Sequence, residues 1–139
     1  MVDITRGSIW WINMPIEPNS HVQGGGRPYV VVSNVEDNIT SGVVTVCPMS
    51  TKLDDFAAHA KVKFRKDAQV LCDQITTIDI SKLTEYIGQL SNRCMNEVNE
   101  TLKYQLCLDM PGDLYEIDKR LKVVEDILTW KELEENDYK

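Results

Sequence analysis

No stretch of this 139-residue sequence stays apolar long enough to span a bilayer, and no basic segment at the N-terminus leads into an apolar run with a small-residue cleavage site. Neither membrane insertion nor secretion is expected. Paired cysteines are also missing. Cys47, Cys72, Cys94 and Cys107 are scattered, with no CxxC spacing and no ligand set with His21 or His59. Reduced, mostly buried thiols in a cytoplasmic chain follow, with no metal and no cofactor. Positive charge is short: the formal net charge is −7, which excludes a general nucleic-acid coat, because nonspecific affinity for phosphates comes from accumulated Lys and Arg. The deficit is uneven. Residues 1–110 hold 10 Lys/Arg against 13 Asp/Glu, while residues 111–139 hold 5 against 9.

What is present reads as one domain with a modest appendage, at a length that supports one core. Hydrophobic residues at 42% and charged residues at 27% are ordinary for a folded protein. Short β-branched and aromatic runs place strands near residues 9–13, 29–33, 43–48, 60–64, 70–74 and 86–90. Six such strands imply a small barrel. Pro15, Pro18 and the run Gly24, Gly25, Gly26 mark the first connection as a mobile loop that is neither helix nor ladder. After Leu90 the period changes. Ser91 reads as an N-cap, and Cys94, Met95, Val98, Leu102 and Leu106 fall on one helical face. Pro111 and Gly112 then punctuate the chain, so we divide it into a barrel domain at 1–110 and an acidic helical extension at 111–139. In that extension Leu114, Ile117, Leu121, Val124 and Leu128 form a heptad-like seam, which suits core or dimer packing or a short zipper against a partner.

Three segments, 21–27, 50–52 and 73–77, concentrate polar groups at strand ends, where a rigid scaffold gathers binding residues. Arg27, between three glycines and Pro28, offers a guanidinium fork that matches phosphate oxygens; a surface arginine beside a turn is the plainer account. Ser50 and Thr51 can donate hydroxyls to a phosphate or simply close a turn. Asp73 interrupts an apolar run and either acts as an acid or base or ties down a loop. His21 can exchange a proton near neutrality or stand exposed. His59 has no obvious partner and receives no role. Lys61, Lys63 and Arg65 alternate with Val62 and Phe64, putting three cations on one strand face, with Lys66 extending the patch. That face can steer an RNA backbone or be ordinary solvated surface.

The strings Arg6-Gly7-Ser8-Ile9-Trp10-Trp11-Ile12, Gln23-Gly24-Gly25 with Arg27-Pro28-Tyr29-Val30-Val31-Val32-Ser33-Asn34, Val44-Thr45-Val46-Cys47-Pro48-Met49-Ser50-Thr51 and Cys72-Asp73-Gln74-Ile75-Thr76-Thr77-Ile78-Asp79 together resemble the MazF/PemK toxin family, in its order and over roughly residues 4–108. The resemblance implies a small SH3-like or plasmid-maintenance-toxin barrel; with the helices that periodicity places after residue 90 and at the C-terminus, the expected fold is mainly β with added helices. The resemblance further implies a homodimer, a groove for single-stranded RNA, and a cognate antitoxin. Cleavage would be sequence-specific and metal-independent, by attack of the 2′-hydroxyl on the adjacent phosphate, which makes RNA the substrate.

By position, the resemblance makes Arg27, Ser50, Asp73 and His21 the catalytic group. Gln23, Gly24, Gly25, Thr51, Lys52 and Gln74 are expected against the RNA beside them, and the alternating strand adds Lys61 and Lys63. Ser50 keeps the hydroxyl of a common family threonine. Thr76 and Leu71 stand where the family, or its PemK branch, carries arginine, so the groove has fewer cations here. The rival class is a non-catalytic toxin on the same barrel, such as a DNA gyrase inhibitor. The acids Glu132, Glu134, Glu135 and Asp137 read as solvated surface; occupation of a basic groove by this tail is the other reading.

Overall fold

Trp10 to Ile12 and Tyr29 to Val31 are runs of β-branched and aromatic residues that pair readily as strands. A computed structural model of the chain, describing residues 3–108 together with 127 and 128, places them in adjacent antiparallel strands. The elements are β1 (Ser8–Met14), β2 (Gly25–Val31), α1 (Val35–Ser41), β3 (Val43–Ser50), β4 (His59–Phe64), β5 (Lys66–Leu71), β6 (Thr76–Asp79), a 3-10 turn at Ile80–Lys82, β7 (Glu85–Gln89) and α2 (Asn92–Leu106). Among the described residues there are seven strands, one more than expected.

They run in the order β4-β5-β3-β2-β1-β7, with β6 on β3. Every ladder is antiparallel. β3 turns the corner: Val43 to Val46 pair with β6, while Met49 and Ser50 pair with β5. The path does not close into a full ring; β4 and β7 are its edges. Two apolar clusters fill it. One, around Ile9, Val30, Met49, Val70 and Val98, lies under α2; the other gathers Ile12, Tyr29, Val31, Val44 and Val46.

Ser91 caps α2 as the sequence indicates, its Oγ accepting the Cys94 N–H at 3.2 Å. Cys94, Met95 and Val98 are buried, Leu102 packs at the margin, and Leu106 at the last turn is exposed. Cys47, Cys72 and Cys94 are buried thiols. A hydrogen bond to Cys72, together with burial, pushes the Cys47 thiol up, and the same bond lowers Cys72.

The glycine run corrects the expected loop. Gly25 and Gly26 belong to β2 and pair with Met14 and Asn13. Gly25 has φ +76°, open to a residue without a side chain, and a Cβ on Gly26 would lie 2.8 Å from the Trp11 ring. Gly25 thus supplies the left-handed backbone and Gly26 the room beside Trp11 that the start of the strand needs. Two elements had gone unread. α1 is capped by Asn34, whose Oδ1 accepts the Glu36 N–H at 2.7 Å, and it stops at Gly42 with φ 74°. β6 is short, and its ladder partner β3 is remote in sequence. Contacts divide the chain into Met1–Leu106 and Cys107–Lys139. The expected C-terminal seam lies outside the described residues except Leu128, which is helical.

Candidate active site

Arg27 and Ser50 are brought together by register. Tyr29 pairs with Pro48, Val30 with Cys47 and Val31 with Val46, so Arg27 and Ser50 lie just past the end of that ladder on adjacent strands. Both line a cavity of about 700 Å³, with Thr51 beside them. Two further cations, Arg65 and Lys66, enter from the β4–β5 turn. Trp11, Phe64 and Tyr86 supply aromatic walls, and Glu85 is the one acid on the lining.

The electrostatics of Arg27 are unusual for a surface arginine. Its Nε is buried and has no hydrogen-bond partner among the described residues. Leaving such a donor unsatisfied costs about 1–3 kcal/mol, more when it is charged. The guanidinium also lies by Tyr29, where burial pushes the phenol up and the neighbouring positive charge opposes the rise. Arg65 lies over the Phe64 ring at 4.9 Å and donates from Nη2 to the Ile87 carbonyl at 3.3 Å. Ser50 Oγ accepts the Lys52 N–H at 3.1 Å, so the hydroxyl proton remains available to a ligand.

The other expected residues are placed elsewhere. His21 is exposed on the β1–β2 connection. The Gln23 N–H donates to Gln74 Oε1 at 2.7 Å, stitching the start of β2 to the β5–β6 turn. Gly24 and Gly25 follow at that junction. Asp73 does not line the Arg27 cavity; its Oδ1 lies 3.0 Å from His59 Nε2. Lys61 Nζ is committed to Gln69 Oε1 at 2.5 Å and to the Asp54 carbonyl. Lys63 lies with Arg93 and Glu97 on a second cavity, beside the start of α2.

His59, left without a role by its sequence context, is buried between two carboxylates. Its Nδ1 is 2.9 Å from Asp54 Oδ1, opposite Asp73 on Nε2. Burial works against ionising Asp54, yet hydrogen bonds from Gln69, His59 and the Phe56 N–H outweigh it and hold the carboxyl down to about 2. Sequence context gives no sign of this group, because strand pairing brings its members together. The cations Arg65 and Lys66 were visible in the alternating pattern, although their convergence on Arg27 was not.

The open small barrel thus gathers in one cavity an arginine whose Nε is buried, two further cations, hydroxyls and aromatic walls. The model of the PemK-like, MazF-like toxins of type II toxin-antitoxin systems matches residues 5–106, and the chain belongs to that family. Over 112 residues it is 29% identical to endoribonuclease EndoA of Bacillus subtilis strain 168, covering 76% of this chain and 96% of that protein. It is 31% identical over 111 residues to endoribonuclease MazF of Staphylococcus saprophyticus, covering 74% and 91%. An endoribonuclease from a mycobacterial species shares the fold at TM-score 0.66 and 21% identity, covering 80% of this chain and 98% of that one. A MazF structure solved with MazE from Deinococcus radiodurans does so at 0.64 and 22%, covering 78% and 100%.

Proposed function

We propose that this toxin is an endoribonuclease that cuts single-stranded RNA in the cavity around Arg27. The convergence of Arg27, Arg65 and Lys66 with the Ser50 and Thr51 hydroxyls on one cavity lining carries the reading, since a phosphate fits both their charge and the guanidinium fork. The 2′-hydroxyl oxygen of one nucleotide bonds to the adjacent phosphorus and gives up its proton to solvent water. The bond from phosphorus to the 5′-oxygen breaks, and that oxygen takes a proton from water and leaves as a hydroxyl. A cyclic phosphate remains on the other fragment. No metal is required by this step. Arginine is effectively always protonated, so Arg27 serves by stabilising the growing negative charge. Ser50 and Thr51 donate to the phosphate, Arg65 and Lys66 hold flanking phosphates, and Trp11 and Tyr86 stack bases. His21 and Asp73 lie off this lining, and no proton is routed through them.

In the cell the toxin acts in the cytoplasm as a homodimer and is restrained by a cognate antitoxin, a partner seen with a solved relative, in the MazE-MazF structure from Deinococcus radiodurans. Purified protein mixed with RNA in EDTA should generate fragments with 5′-hydroxyl ends. Arg27→Ala should slow cleavage by about 10²–10³-fold, the scale of one lost transition-state donor. Intact RNA alongside inhibited DNA gyrase would overturn the reading.

A further inference from the structure

Glu85 is the acid among the described lining residues of a cavity that also holds Arg27, Arg65 and Lys66, and the cleavage step gives it no task. A carboxylate repels phosphate, so the backbone of a bound strand is not what Glu85 suits; a base edge is the part of RNA it can hold. β7 aims it by alternation. Glu85 and Ile87 stand two residues apart on one face of the strand, and both line the cavity. Across the β1–β7 ladder Glu85 is the register partner of Trp11, which lines the same cavity and is 37% exposed. Opposed residues of an antiparallel pair carry their side chains on one face, with Cβ atoms about 4.5–5.5 Å apart. An indole and a carboxylate therefore stand side by side. Among the described residues the Glu85 carboxylate has neither an ion pair nor a hydrogen bond, so both of its oxygens are open to a ligand.

A base stacked on Trp11 can turn its edge toward Glu85. An ionised carboxylate has acceptors and no donor, so it bonds only to donors. Of the four RNA bases, guanine alone sets two donors side by side, N1–H and the 2-amino group. Adenine and cytosine place one amine beside an acceptor nitrogen, and uracil flanks its single N–H with two carbonyls. Two parallel N–H···O bonds to a charged carboxylate combine strength with geometric selectivity. We propose that Glu85 is a specificity-determining residue that reads guanine on the Trp11 platform and so fixes a guanosine at one position of the RNA that is cut. This rests on reading the Arg27 cavity as the cleavage site.

The test uses the full chain and two kinds of strand. Oligomers of deoxyuridine with one central deoxyguanosine, deoxyinosine, deoxyadenosine or deoxycytidine lack the 2′-hydroxyl nucleophile and stay intact while binding is followed by fluorescence anisotropy. For wild type the deoxyguanosine oligomer should bind about tenfold more tightly than deoxyuridine alone, the scale of a bidentate base contact. Deoxyinosine, which keeps N1–H and lacks the 2-amino group, should fall between them. Glu85→Gln keeps the size of the side chain and loses an acceptor, and should bring the whole set within about twofold. Sequenced ends of a cut mixed RNA should share a guanine at a fixed distance from the cut in wild type, and that bias should vanish in Glu85→Gln. Equal affinities across the set in wild type, or a guanosine preference that survives in Glu85→Gln, overturns the assignment, as does a folded chain that binds none of the oligomers. A variant that binds every oligomer more tightly with the ratios unaltered also overturns it, marking Glu85 as a repelling charge alone. The uncleavable set keeps the two failures apart: a Glu85-dependent guanosine preference in a chain that cuts no RNA sinks the functional reading, whereas RNA cut without regard to guanine sinks this inference alone.

Discussion

Arg27 shows why the residues of this site were partly legible. A guanidinium after three glycines and a pair of hydroxyls after an apolar strand stand out in the sequence, and the pairing of β2 with β3 brings them to the lining of one cavity. Arg27→Lys tests the fork rather than the charge: it should keep RNA affinity within a few-fold while kcat drops, because lysine is a point charge that cannot grip two oxygens. A kcat equal to wild type would remove the bidentate contact from the account. His59 was illegible for the opposite reason. Its partners are 5 and 14 positions away and meet it only once β4 lies on β5. Its neighbour Asp54 gives a pH prediction. The folded carboxyl titrates at about 2 against an ordinary 3.8, so its contribution to stability is present above the ordinary value and is lost as pH falls through the folded one. Thermal melts of wild type and Asp54→Asn should therefore converge as pH falls from above about 4 to about 2.

At the scale of elements, α2 could be read almost completely, because its cap and its apolar face are both local signals. Met95→Ala should cost about 2–5 kcal/mol, the usual range for emptying a buried methionine site, seen as a lower denaturant midpoint with an unchanged slope. β2 was misread at its start, since a glycine run is an ordinary loop signal and only the crossing of Trp11 beneath Gly26 explains it as strand. Gly26→Ala places a methyl against that ring, and a cost of about 1–3 kcal/mol is expected. Trp11 also lines the cavity, so KM for RNA should rise with the loss of stability. A variant as stable and as tight as wild type would show that the strand tolerates a side chain there. α1 carried readable ends, Asn34 and Gly42, but seven residues with a β-branched start and no sustained apolar face gave periodicity too little to act on.

For the whole molecule the question is how a chain of net charge −7 takes a polyanion. The structure sets Arg27, Arg65 and Lys66 around one cavity with Glu85 as the acid among its described lining residues, a local excess of positive charge within an acidic chain. Single-strand binding should weaken with salt, and replacing Arg65 and Lys66 together by Gln should reduce the log–log slope by about 1.4, at roughly 0.7 for each phosphate no longer neutralised. An unaltered slope would mean that those two cations never meet the RNA.

The unclosed sheet has one more consequence. Its edge strands are drawn together where Arg65 donates to the Ile87 carbonyl and Phe64 lies over Gly88, with no ladder between them among the described residues. The rim is thus fastened by a clasp instead of a weld, and the clasp is a side chain proposed to greet the nucleic acid. A change that loosened it would blunt the blade and slacken the hilt together, so toxicity and folding are not independently adjustable at that spot.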